Sequence, residues 1–179
     1  MAEAVSEGTR INQTAVRLIR DDITDLDIDA FVFYAQNDLV LGSGFGNAIT
    51  VRGGPNVQKE LDELAPVETG EAVVSDAGGL KAKYVIHAVG PKFQEADTET
   101  KLHATMLNAL KRADENGVEQ LAFPAMGAGY YGILPGTCAS VMLKALQDYL
   151  GSTTGIKEVV ICVFDTPQYD AFQSALAAL

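Results

Sequence analysis

The sequence predicts an α/β protein, with helices covering both faces of a largely parallel sheet. Three observations carry that expectation. Short apolar runs of strand length alternate along the chain with stretches of helical period. Asp29-Ala-Phe-Val-Phe-Tyr34 is apolar almost without a break after its aspartate, as a strand buried on both faces must be. The 179 residues, 47% hydrophobic and 21% charged, are enough for one well-filled domain and lie outside the range of disordered chains.

Six strands follow in order. Ala15-Val-Arg-Leu-Ile-Arg20 alternates apolar with basic, which suits a half-exposed strand. After Asp29 to Tyr34 come Glu71 to Val74, Lys83 to Val89, Gln120 to Phe123 and Glu158 to Phe164. Between them, Leu102, Met106, Leu110 and Ala113 form the apolar stripe of a helix from Thr98 to Glu115, which ends before Gly117. Cys138, Val141, Met142, Ala145 and Tyr149 mark the next helix, closed by Gly151. A last helix is expected to have Thr166 as N-cap and Pro167 in its first turn, burying Tyr169, Phe172, Leu176 and Leu179. The helical region Asn47 to Leu64 contains Gly53-Gly54-Pro55, so proline should split it into two short pieces.

Charge narrows the function. Thirteen Lys and Arg against 24 Asp and Glu leave −11, which opposes general attraction to nucleic acid or to anionic lipid. Residues Met1 to Asn12 lack an apolar leader, and no run of apolar residues is long enough to span a bilayer. Cys138 and Cys162 both sit in apolar patterns and read as reduced core residues, so a cytoplasmic location is expected. No cluster of His, Cys and carboxylates has metal-ligand spacing, and neither a metal nor a cofactor is expected.

Glycine carries the strongest functional signal. Nine of the 17 glycines fall in two windows after strands, Gly42 to Gly54 and Gly127 to Gly136. Such loops can be simple tight connections. They can also bring backbone N–H groups close to an oxyanion, which suits an acidic protein that must hold an anion without positive side chains. The Rossmann fingerprint fails, because its third glycine would fall on Asn47, and the Walker pattern is absent.

Taken with their flanks, the two loops resemble the macro domain. The resemblance rests on Asp22-Ile-Thr24, Gly42-Ser-Gly-Phe-Gly-Asn-Ala-Ile49, Thr69-Gly-Glu-Ala72, Lys83-Tyr-Val-Ile-His-Ala-Val-Gly-Pro91 and Phe123-Pro-Ala-Met-Gly-Ala-Gly-Tyr-Tyr-Gly132, in order and in spacing. It implies a three-layer α/β/α fold with a central mixed sheet of about six strands. Residues 13–179 would be the domain and 1–12 an N-terminal extension. It also implies binding of ADP-ribose or a related adenine nucleotide, free or on an ADP-ribosylated protein. By that resemblance Asp22 and Ile23 would read the adenine edge, and Phe164 would stack on the base. Gly44, Phe45 and Gly46 would wrap one side of the diphosphate, with Gly127, Ala128, Gly129, Tyr130 and Tyr131 on the other. Read without it, Asp22 is a turn or cap residue, Phe164 a core side chain, and the tyrosines ordinary packing.

Two departures bear on activity. Phe33-Tyr-Ala-Gln36 stands where hydrolytic members carry Asn-Ala-Ala-Asn, and Gly46 stands where many have an aspartate. Gln36 is one methylene longer than the asparagine that orients the distal ribose, and glycine cannot accept a proton. Gln36, Asn37 and Tyr131 remain as candidates for a catalytic role. Asp38 could serve as a base, although Asn37 and Asp38 also suit an exposed turn. His87, on a buried strand, reads as structural, and His103 lies on a polar helical face. Three functions therefore compete: a reader that binds with little turnover, a hydrolase of ADP-ribosyl or O-acetyl-ADP-ribose esters, and a pocket closed to ADP-ribose by Phe33, Tyr34 and Phe45.

Overall fold

The structure, a computed structural model, describes residues 9–92 and 94–179, with Tyr130 described by its backbone alone. One sheet of seven strands organises it: β1 (Arg10–Ile11), β2 (Thr14–Arg20), β3 (Ala30–Ala35), β4 (Ala72–Asp76), β5 (Tyr84–Val89), β6 (Gln120–Phe123) and β7 (Glu158–Val163). The order across the sheet is β1-β2-β7-β6-β3-β5-β4. The five inner strands are parallel, and β1 and β4 are antiparallel at the two edges.

Alternation along the strands divides the interior in two. Leu18, Val32, Ile86 and Ile161 point to one face. There they meet α3 (Thr98–Glu115), α4 (Pro135–Leu150) and α5 (Thr166–Ala177) through Leu102, Met106, Leu110, Met142 and Phe172. Ile19, Phe31, Phe33, Val85 and Val160 point to the other, against Ile49 of α1 (Phe45–Gly53) and Val57 and Leu61 of α2 (Pro55–Leu64). That makes the three layers. Each large side chain buried this way contributes roughly 1.5–3 kcal/mol, and the central strands contribute to both cores.

The helix split falls at the expected place, with Gly54 at φ 90° between α1 and α2 and Pro55 opening the second. The mixed sheet of about six strands is present, with Arg10–Ile11 folding back on β2 as a seventh, a pairing too short to leave a periodic signal. Other expectations need correction. Of the expected N-terminal extension, residues 1–8 lie outside the described residues. The N-cap of α5 is Asp165, whose carboxylate accepts from the Gln168 N–H at 2.9 Å; Thr166 is already helical. Leu179 is not buried but half exposed, since α5 ends at Ala177. Cys138 and Cys162 are buried and unpaired with each other.

Candidate functional site

The parallel strands β2, β3, β6 and β7 all end on the same side, and the two glycine windows leave β3 and β6 there. Between them runs a cleft made of three adjoining cavities of about 750, 400 and 520 Å³. Gly44, Phe45 and Ala128 are shared by the first and second, and Gln36 and Tyr131 by the second and third. Gly129 borders both the first and the third.

Asp22 and Ile23 stand at the first cavity. A 3-10 turn, Ile23–Asp25, starts at Asp22, whose Oδ1 accepts from the Thr24 N–H at 3.0 Å and from the Thr24 hydroxyl at 2.6 Å. Its Oδ2 pairs with Arg52 at 3.0 Å. Partial burial, the largest single influence, favours the neutral acid, but the Thr24 hydrogen bonds and the Arg52 cation together outweigh it. The carboxyl therefore titrates below its ordinary 3.8. Asp22 is thus the cap that the bare sequence suggests and also a half-exposed acceptor at the cleft, two roles that its four lone-pair sites can share. The Ile23 N–H, at the first position of the turn, has no partner within it. Phe164 is not a core residue: just beyond β7, its side chain is 83% exposed beside this cavity. Cys162 lies at the same cavity, and burial, with Asp21 nearby, pushes its thiol up to about 12, so it stays protonated.

The glycines fall into two kinds. Gly46 and Gly127 are packing residues: a Cβ at Gly46 would overlap the Leu41 carbonyl, and one at Gly127 the Ile133 side chain. No side chain can stand at position 46, which is the physical reason this loop carries no carboxylate there. Gly44 and Gly129 have φ of +62° and +73° with open space where a Cβ would be. Gly44 is the N-cap of α1 and supplies no side chain, so the first N–H groups of that helix end in the cleft without an intrahelical partner. Gly129 opens the 3-10 turn Gly129–Tyr131 on the opposite wall. The Tyr130 side chain lies outside the described residues.

At the far end, Gln36 is exposed, with its Nε2 close above Gly42. Asn37 borders the third cavity, but its amide nitrogen is engaged elsewhere, donating to the Val67 carbonyl at 2.9 Å and to Thr69 Oγ1 at 3.3 Å. Asp38 accepts from the Val40 N–H at 3.0 Å and makes the turn. The Tyr34 ring lies in a slot left by Gly90 and Gly127, packs against Tyr131 at a tilt of 48° with centroids 4.5 Å apart, and donates its hydroxyl to the Pro91 carbonyl. Burial first, then Tyr131, holds that phenol well above its usual range. Phe33 packs edge-on against Phe45 at 5.0 Å. These rings form the floor of the second cavity and do not fill it. His87 is fully buried, with Nε2 2.8 Å from Ser75 Oγ, and burial lowers its pKa from 6.5 to about 3. It does not line the cleft. His103 instead pairs with Asp148 at 2.9 Å on the surface of α3 and α4.

Several lining residues escaped the sequence reading: Arg20, Thr24, Ala48, Gln168 and Lys92. Thr24 and Ala48 lie inside motifs already singled out but had no role there, and Arg20 lies two residues before Asp22, within reach of a walk outward from it. Gln168 and Lys92 carry no motif, and only the closure of the fold brings them to the cleft.

A mixed, mostly parallel sheet with a strand-end cleft between two glycine loops defines the class: an α/β domain whose cleft could hold an anion on backbone amides. A profile of the Macro domain family matches residues 34–142. An uncharacterised protein of Saccharolobus solfataricus is 40% identical over 163 residues, spanning 89% of this chain and 90% of its own. A macro domain-containing protein of Caldanaerobacter subterraneus subsp. tengcongensis is 37% identical over 170 residues, spanning 92% and 97%. The Oceanobacillus iheyensis macrodomain, solved with ADP, superposes with a TM-score of 0.90 at 23% identity over 99% of this chain and 96% of its own. A Trypanosoma brucei macrodomain in complex with ADP-ribose gives 0.84 at 25% identity, over 90% of this chain and 68% of its own. The chain belongs to the macro domain family.

Proposed function

We propose that this protein is a cytoplasmic reader of ADP-ribose, free or attached to protein, that binds its ligand with little or no turnover. The observation that carries the reading is the pair of open glycines, Gly44 and Gly129, facing each other's loops across the cleft in a chain of charge −11. A diphosphate would lie on the N–H groups of α1 and of the Gly127 to Tyr131 loop. Adenine would lie against Phe164, with its amino group donating to Asp22 and a ring nitrogen accepting from the Ile23 N–H. The distal ribose would reach Gln36 and Tyr131. The ADP seen with the Oceanobacillus iheyensis protein and the ADP-ribose seen with the Trypanosoma brucei protein support this choice of ligand.

The far end of the cleft supports the low turnover. No Asp, Glu or His is among the described residues lining the second and third cavities. Gly46 admits no side chain, the Asn37 amide nitrogen is held by the Val67 segment, and the Tyr34 phenol is a poor acid. Calorimetric titration with ADP-ribose, ADP and AMP, followed by incubation with a mono-ADP-ribosylated protein, tests the reading. ADP-ribose should bind more tightly than ADP, and ADP more tightly than AMP, while the modified protein keeps its label. Equal affinity for ADP and ADP-ribose would remove the distal subsite, release of the label would make the protein a hydrolase, and no binding at all would refute the assignment.

A further inference from the structure

Phe164 poses a problem that its place in the fold does not solve. A phenylalanine 83% exposed gives up most of the stabilisation that burial would provide, and a side chain free in solvent is a poor binding surface because ordering it costs entropy. Its backbone is nevertheless held on both sides. The Phe164 N–H donates to Gln168 Oε1 at 3.0 Å, and the Phe164 carbonyl accepts from Arg20 Nε at 3.4 Å. Each holder is itself fixed. Arg20, at the end of β2, also donates from Nη1 to Thr166 Oγ1 at 2.9 Å, and the Gln168 N–H donates to the Asp165 cap. All three side chains, Arg20, Phe164 and Gln168, line the first cavity.

We propose that Arg20 and Gln168 are positioning residues that fix Phe164 as a preformed stacking platform for the base of the ligand. The inference rests on the reading of the cleft as an ADP-ribose site. With its backbone pinned between β2 and α5, the ring keeps only its own two side-chain torsions, so little order remains to be imposed when a base stacks on it. Arg20 and Gln168 come from segments 148 residues apart in sequence (168 − 20) and converge on the two polar groups of one peptide unit's residue. A clamp that served only to end β7 would not need both of its members to face the ligand cavity.

A double-mutant cycle tests this, with ADP-ribose as the titrant and thermal unfolding to confirm that each variant is folded. Arg20→Ala and Gln168→Ala should each weaken binding by about three- to tenfold, the scale expected when one ordered side chain is set free. In a Phe164→Ala background the same substitutions should change affinity by less than about twofold, because nothing remains to be positioned. Gln168→Glu, which keeps an acceptor for the Phe164 N–H, should retain more affinity than Gln168→Ala. Losses that add unchanged in the Phe164→Ala background, or clamp variants that bind like the wild type, overturn the proposal alone. A wild-type protein that takes up no ADP-ribose overturns the cleft reading and this proposal with it.

Discussion

Single glycines decide what this cleft can and cannot do. Gly129 and Gly46 look alike in the sequence, each in a glycine-rich window after a strand, but they answer to different forces. Gly129 has open space around it but a left-handed backbone, so Gly129→Glu would place a carboxylate in the cleft without a clash, at a backbone cost of about 1–2 kcal/mol that the fold can absorb. The expected result is a protein with an unchanged far-ultraviolet spectrum and no measurable heat on titration with ADP-ribose. Gly46 is pressed against the Leu41 carbonyl. Gly46→Ala should therefore cost stability, by about 1–3 kcal/mol on the scale of overpacked sites, seen as a lower urea midpoint. If Gly46→Ala were as stable as the wild type, the α1 entry loop would have room for an aspartate after all. The sequence marked both windows; it could not separate a glycine that packs from one that faces the open cleft, because that distinction is made by residues such as Leu41 and Ile133 across the loop.

Among the elements, the strands and the long helices were legible because burial writes a period into them. Phe31, Val32 and Phe33 feed alternate cores, and Leu102, Met106 and Leu110 mark one face of α3. Pro55 after two glycines was enough to place the break between α1 and α2. What escaped was the chemistry of ends. The two-residue β1 is too short for a period, and at the start of α5 two adjacent residues, Asp165 and Thr166, are both good N-caps. Geometry chooses Asp165, with its extended φ of −132° and its bond to the Gln168 N–H. Asp165→Ala should lower stability by about 1 kcal/mol, the usual value of an N-cap, whereas Thr166→Ala should leave the helix start intact. Chemical denaturation of the two variants makes the comparison, and equal losses would return the cap to Thr166.

At the scale of the whole molecule, acid stability and salt dependence report on what is buried and on the overall charge. His87 has a folded pKa of about 3 against 6.5 for the free side chain. Above the free value both states are neutral; below it the unfolded chain takes up a proton that the folded chain refuses, so stability declines from about pH 6.5 downward until the folded value is reached. The decline is at most about 1.4 kcal/mol per pH unit, and His87→Gln should flatten it between about pH 7 and pH 5 in urea titrations. The net charge of −11 acts on the ligand instead. A phosphate site built on Lys and Arg loses affinity as salt screens its attraction. Here Arg52 is already paired with Asp22, the proposed cradle uses backbone amides, and the net charge of the chain repels a dianion. Raising ionic strength from about 0.01 M to about 0.15 M shortens the screening length from about 30 to about 8 Å, which weakens that long-range repulsion while leaving the contact hydrogen bonds in place. ADP-ribose should therefore bind as well or better at the higher salt. A steep loss of affinity over that range would mean that cations such as Arg20 and Lys92, and not the glycine loops, hold the phosphates.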